Sequence, residues 1–597
     1  MSNFGTLGVA VSGLNAAQMG LSVTGHNLSN VNTTGYTRQQ AIQSDYLYRN
    51  IGSNGRGTLQ IGMGTSLVGI RQIRDKFLDI QYRNENSKLS YYDAKYDAGT
   101  QIETLLSELE GEYSTQEVFT DLWDSLQELS QNPSSIDARG NFINNAVTLV
   151  DKMNSLYQGM VEYQHDLNDR VKEVVTEINS LTTEINDLNK LIAENEVTGD
   201  SANDYRDARN NAIDRLTELT GCTVKERSDG KVDLFIEGNP LISNGTVYNI
   251  GLRYTSTDYS FVEPVYTNSK EILTADSDDY VQVFKLTSSI SSEKGTDTSL
   301  LKGILVSRGT KPENWMSAPQ PPDPTDTTKY PQGSKDVQYQ KDYLQYQEEL
   351  FNVTEATIPS AMKKLDTVFH SVITLINDTV APKVQKTYDD PDNTDPIGLD
   401  GSQYLEIFVR NPDSMSRYDA TGTYNEEVEG EYFTMYTLGN VSVNPEFLDA
   451  DGYDKIPLSP ALGGSGTGTN ECDESNNTLI QQMIDAYEDP TVYTIIGKDI
   501  AGNYVYDGEP SSIKNGYIDA VSDVAIETNE ALNYIEQQEI IMVQLTNNRL
   551  SMSGVSMDEE MTNMMKYQHA YNASARVVNV VDDMLDRIIN KLGRVGI

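Results

Sequence analysis

Cysteine is almost missing from this 597-residue chain: Cys222 and Cys472 stand far apart, which excludes a disulfide framework and any CxxC spacing and leaves at most one bridge. Histidine is equally scarce. His26, His165, His370 and His569 are isolated from one another, so the commonest metal ligand and general base forms no cluster along the sequence. No run of about 18 apolar residues occurs, and the N-terminus lacks the basic and compact apolar regions of a secretory leader. Neither a membrane-spanning helix nor a cleavable signal is expected. Positive charge is in short supply too: 45 Lys and Arg face 89 Asp and Glu, a formal net charge of −44. Such a surface repels nucleic acid and anionic lipid, and neither nucleic acid nor membrane is expected as a partner.

What is present is unevenly distributed. Residues 1–83 carry +4 and residues 551–597 carry −1, which leaves −47 on residues 84–550; the first 44 residues contain no Asp, Glu or Lys. Ends that avoid charge are expected to be buried, here against other chains. Periodicity agrees. Phe4, Leu7, Val11, Leu14, Leu21 and Leu28, with Gln18 and Gly25 as weak members, follow the alternating three and four spacing of a coiled-coil seam over about seven helical turns. Near the other end Met561, Met564, Gln568, Tyr571, Ala575, Val578, Asp582, Leu585, Ile589 and Leu592 repeat that spacing, with Asp582 out of place. The two ends are expected to pair, Tyr571, Val578, Leu585, Ile589 and Leu592 forming the seam opposite the first. Glycines at 5, 8, 13, 20 and 25 each weaken the first helix by about 1 kcal/mol relative to Ala, so loose ends are expected in the lone chain.

Between the ends, residues 88–131 read as two helices and 137–195 as one long helix. Within that helix Leu167, Val171, Val174, Ile178, Leu181, Ile185, Leu188 and Ile192 form an unbroken heptad series. A short helix near 204–220 closes at Gly221, and the pattern then switches to period two at Lys231 to Ile236; residues 222–310 read mostly as strand. Six prolines between Pro312 and Pro331 predict a stiff, exposed connection. Helix returns at 338–383, a second β-rich stretch covers 399–465, and the chain reads as helix from 512 to the end.

The fold class is therefore α+β and multidomain: a terminal α-helical coiled coil and a long antiparallel helical bundle with inserted β-rich outer domains. Residues 1–83 and 551–597 form the assembly region, 84–220 and 512–550 the bundle, 222–335 a first β-rich domain with its Pro-rich linker, 336–398 a helical return segment and 399–511 a second β-rich domain.

Chemical motifs are weak. Gly464 to Gly468 lacks phosphate-loop spacing and reads as a flexible loop. The acidic turns Asp389 to Asp395 and Asp449 to Asp454 lack the EF-hand pattern and read as solvated loop acid. No catalytic, cofactor-binding or metal-binding residue is assigned, no cofactor is expected, and the chain is expected not to be an enzyme.

Two remote signatures carry a resemblance. Ser12-Gly13-Leu14-Asn15-Ala16-Ala17-Gln18 followed by Asn27-Leu28-Ser29-Asn30-Val31-Asn32-Thr33-Thr34-Gly35-Tyr36-Thr37-Arg38-Gln39 resembles the N-terminal signature of the bacterial flagellar rod, hook and hook-associated proteins. Ser553 to Glu560, Lys566 to Val578 and Asp582 to Leu585 resemble the matching C-terminal end. The Gly35 to Gln39 form, Ser574-Ala575-Arg576 and Asn203-Asp204-Tyr205-Arg206-Asp207 are similar to the branch that joins hook to filament. The resemblance implies a structural subunit exported through the flagellar type III apparatus to the cell exterior. It implies a helical ring of copies touching the hook protein and the next hook-associated protein, and an export chaperone on the C-terminal helix. A sister hook or rod subunit, or a flagellar frame carrying a binding or hydrolase domain in residues 222–511, is the alternative.

Overall fold

The structure, a computed structural model, describes residues 3–54, 57–107, 114–197, 199, 201–256, 260–267, 271–275, 277, 280–287, 290–386, 395–411, 416–461 and 473–588. Cys472, the 464–468 loop and most of the 389–395 turn lie outside these residues. Helices along the described chain are α1 (Asn3–Ser29), α2 (Lys76–Leu106), α3 (Thr115–Gln131), α4 (Ile136–Glu196), α5 (Asn203–Thr220), α6 (Leu300–Arg308), α7 (Val337–Thr354), α8 (Thr357–Val380), α9 (Thr478–Glu488), α10 (Ile513–Ser553) and α11 (Met557–Asp586). Their ends follow local chemistry. The Ser114 side chain accepts from the Glu117 amide at the start of α3, and Gly221, at φ 64°, closes α5 with its N–H on the Thr217 carbonyl.

The chain divides into two compact units. The first comprises residues 1–90, 176–250 and 536–597. In it, Gln39–Asp45 pairs antiparallel with Thr65–Gln72, Tyr48–Asn54 pairs with Gly57–Gly62, and Thr223–Glu226, Val232–Ile236, Asn239–Ser243 and Thr246–Val247 form a four-stranded antiparallel sheet. Helix α4 grips these strands through asparagines. The Asn189 amide accepts from Val232 N at 3.1 Å and donates to Val232 O at 3.0 Å, and Asn179 does the same at Ile250. Each amide supplies the two hydrogen bonds that a neighbouring strand would have made.

The second unit comprises residues 91–175 and 251–535. Its helix α8 buries Ile358, Met362, Leu365, Val368, Phe369, Val372, Ile373, Ile376 and Val380. Asn377 repeats the asparagine device, accepting from Phe408 N and donating to its carbonyl. The unit also holds antiparallel pairs: Val262–Tyr266 with Val281–Gln282, Pro396–Ile397 with Ser459–Pro460, Phe408–Arg410 with Val441–Val443, and Val492–Lys498 with Tyr504–Ser511.

Several sequence expectations change here. The 39–72 strands were not anticipated, because Gln, Ser, Thr and Gly dominate them and leave little hydrophobic alternation. Residues 222–310 are not strand throughout: α6 occupies 300–308, and Leu301 to Arg308 are buried whether apolar or, like Lys302, Ser307 and Arg308, polar, so the short run carries no readable period. The 338–383 helix is broken at Glu355 and Ala356, and the terminal helix at Gly554 and Val555. Among the described residues of 399–465, the strands are two or three residues long and 3-10 turns lie between them. The Pro-rich segment is not an exposed strut. The Trp315 amide donates to Asp366 of α8, the Pro319 carbonyl accepts from Lys498 N, and Ala318 and Tyr330 are buried. In α4, Leu167, Val171, Val174, Ile178, Ile185 and Ile192 are buried, while Leu181 and Leu188 are half-buried.

Candidate functional site

Helices α1 and α11 pack antiparallel through small residues. A Cβ added at Gly13 would lie 3.0 Å from Ser574 Oγ, and one at Gly20 would lie 2.6 Å from the Tyr567 ring. Asn27 donates to Glu560 Oε2 at 3.0 Å. Steps of seven run up α1 and down α11, so the pair keeps heptad register with close backbone approach. Ala10, Ala16, Ala17, Val23 and Thr24 are buried on α1, and Val581 on α11.

The leucine stripe lies beside this contact face. The contact stripe Ala10, Gly13, Ala17, Gly20, Thr24, Asn27, buried except at half-buried Gly13, is the predicted seam moved by one residue, about 100° around the helix. Val11 is 41% exposed, and Leu7, Leu14, Leu21 and Leu28 are half-buried. On α11, Tyr571, Val578 and Leu585 are half-buried as well. The Phe4 side chain, Ile589 and Leu592 lie outside the described residues. The glycines, weighed in the sequence only as a helix penalty, are what permits the approach; their own three and four spacing with Ala and Thr was the available signal.

Below this pair, three separated motifs meet in a polar clasp. The Asn27 carbonyl oxygen accepts from Tyr36 OH at 2.7 Å and from Gln39 N at 3.0 Å, and its amide donates to Gln39 O at 2.8 Å. Arg38 donates through Nε to Glu560 at 2.9 Å and through its two terminal nitrogens to Glu559 at 3.1 and 2.7 Å. Asp207 of α5 accepts from Thr37 N at 3.0 Å and from Gln72 at 2.8 Å. Asn27, Thr37, Asp207 and Glu560 are all buried. Gly35, at φ 76°, has Asn211 where a Cβ would go, so the turn into the clasp requires glycine.

Electrostatics follow burial. Asp207 is pushed up from the ordinary carboxyl value, chiefly by burial and against the hydrogen bonds from Thr37. Burial, then the charges of Asp204, Asp207 and Glu560, likewise holds the Tyr36 phenol protonated. A second layer braces the first. Arg549 of α10 reaches Asp79 at 3.2 Å and Asp214 at 2.8 Å, and Arg83 meets Asp214 at 2.6 Å. The sequence contained these residues, but only folding shows that Tyr36 to Gln39, Asp207 and Glu560 touch.

The same three stretches match known proteins. A family model described as Flagella basal body rod protein matches residues 7–37, one described as Flagellar hook-associated protein FlgK helical domain matches 99–286, and one described as Flagellar basal body rod FlgEFG protein C-terminal matches 546–592. The chain is 26% identical over 600 residues to Flagellar hook-associated protein 1 of Bacillus subtilis (strain 168), covering 99% of each chain. It is 23% identical over 601 residues to that of Escherichia coli (strain K12), covering 97% of this chain and 98% of the relative. In fold it is similar to the flagellar hook junction protein FlgK from Burkholderia pseudomallei, with TM-score 0.50 and 13% identity over 79% of this chain and 100% of that one.

Proposed function

From the premise that this chain belongs to the flagellar hook-associated protein 1 family, we propose that it is a structural subunit of the junction between hook and filament, assembling through α1 and α11. One observation carries the assembly reading: α1 spends its small residues on α11 and leaves Leu7, Val11, Leu14, Leu21 and Leu28 incompletely covered. A stripe of large apolar side chains beside a closed contact is a surface for a neighbouring copy. Because a tube is built from head-to-tail contacts, that stripe meets a different patch on the next subunit, and the copies form a helical ring.

The remaining expectations fit this reading. Residues 1–83 with 551–597 serve as the assembly region, 84–220 with 512–550 as the bundle, and 222–511 as the outward part whose acidic surface discourages lateral clumping. The hook protein and the next hook-associated protein are its neighbours, and export through the flagellar apparatus places it outside the cell. Exposed Met557, Met561 and Met565 on α11 offer the flexible apolar surface an export chaperone would take. The role is mechanical, without turnover. Leu14→Asp tests it: the purified variant keeps its circular dichroism and urea midpoint, while incorporation into flagella of a strain lacking the native subunit is lost. Normal incorporation of that variant would falsify the seam.

A further inference from the structure

A groove of about 740 Å³ in the second unit runs between α8, α9 and the hairpin formed by Val492–Lys498 and Tyr504–Ser511. We propose that this groove binds a neutral oligosaccharide, an activity separate from the junction role and independent of it.

Thr367, Ser371, Thr374 and Thr379 line the α8 wall, and each hydroxyl donates to the helix carbonyl four residues earlier, at 2.7 to 2.8 Å. Their protons are committed, so they offer the groove lone pairs only. Two carboxylates add acceptors. Asp378 is paired with Arg417 at 2.5 Å and lies 3.8 Å from Lys383, and Asp395 accepts from Lys386 N at 2.8 Å and Tyr404 OH at 2.6 Å. The acid at Asp378 is thus already balanced by fixed cations, and a carboxylate oxygen so paired still has lone pairs to give. At the hydroxyls and at Asp378, a ligand for this wall must bring hydrogen-bond donors without bringing positive charge. Polyols meet both conditions.

The opposite wall supplies the second requirement. Tyr493 and Tyr506 line the groove with ring centroids 5.0 Å apart and are 47% and 45% exposed, which leaves aromatic faces for the C–H face of a sugar ring. The back of the groove is rigid. Trp315 stacks on His370 at 3.6 Å, and His370 is held by Glu427 at 2.9 Å, which fixes the side chains at the back of the groove. The volume falls inside the range of small-molecule sites, about 300 to 1,000 Å³.

Saturation-transfer NMR on the full chain tests this, with maltotriose, cellotriose, mannotriose and chitotriose as probes and spermidine and N-acetylarginine amide as the cationic arm. At least one trisaccharide is expected to saturate at low millimolar concentration, and the two cations are not. Tyr506→Ala should weaken that binding roughly tenfold and Thr374→Val roughly threefold, with an unchanged thermal midpoint and unchanged incorporation into flagella. Tyr493→Ala repeats the aromatic test if Tyr506→Ala fails to fold. The proposal is overturned if no trisaccharide saturates up to about 20 mM, if both wall variants bind like the parent, or if the cations bind in their place.

Discussion

Helices α1 and α8 are similar in length, 27 and 24 residues, and similarly apolar to the eye, yet they bury different things. Helix α8 encloses Phe369 and eight large aliphatic side chains, each stabilising by about 1.5–3 kcal/mol. Helix α1 encloses mainly alanine and glycine and holds its leucines half out. Close backbone approach through glycine gives good register and little transferred apolar area. A helix of the first kind is complete within its own chain. One of the second kind leaves its leucines partly open to solvent.

The largest expected effect tests the complete helix. Phe369→Ala should destabilise the second unit by about 3–5 kcal/mol in urea unfolding, while Leu21→Ala on α1 should cost less than about 1 kcal/mol in the lone chain. Equal losses would remove the contrast. Next comes the clasp that stands in for a core under α1. Glu560→Ala leaves Arg38 and Asn27 without their buried partner and should cost about 2 kcal/mol, read as faster amide exchange along α1 and α11. Glu559→Ala, at the exposed arm of the same guanidinium, should cost well under 1 kcal/mol.

Acidity should separate the two regions further. Burial pushes Asp366 of α8 up to about 6, against hydrogen bonds from Thr437, Leu438 and Trp315. A carboxyl whose folded value is raised contributes stability that is fully present below its unfolded value near 4 and is lost as pH rises through 6. The unfolding free energy of the second unit, read from urea titrations, should therefore fall between pH 4.5 and 6.5 by roughly 1 kcal/mol per pH unit. Asp366→Asn should flatten that slope, and an unchanged slope in the variant would show that the group is not responsible. The smallest effect has the opposite sign. Gly25→Ala meets nothing within 4 Å and should stabilise α1 by about 0.5–1 kcal/mol, whereas Gly20→Ala meets the Tyr567 ring and should loosen the pair. If both alanines stabilised α1, close packing at Gly20 would be refuted.

Much of the helical frame was legible in the residues. The α1 span agrees with its predicted seven turns, and the heptad series in α4 marks a face that is mostly buried. Periodicity succeeded there because large side chains repeat over many turns, which averages out local exceptions. It failed for α6, where eight of nine residues are buried, and for the 39–72 strands, whose polar residues pair through backbone bonds that no side chain announces. At the candidate site the stripe was found one residue away from the intramolecular contact. Hydrophobicity marks what seeks cover, not which partner provides it.

Sequence alone determined the neutral ends, the acidic middle, the reach of the long helices and the signature motifs, since charge and repeat length are properties of residues in order. Only the tertiary structure decided that glycine and alanine make the α1 and α11 contact, that Asn27, Arg38, Asp207 and Glu560 close one clasp, and that the leucines remain half uncovered. Those outcomes depend on how near two backbones can come and on which buried polar atoms find partners, quantities that exist only once distant segments share the same space.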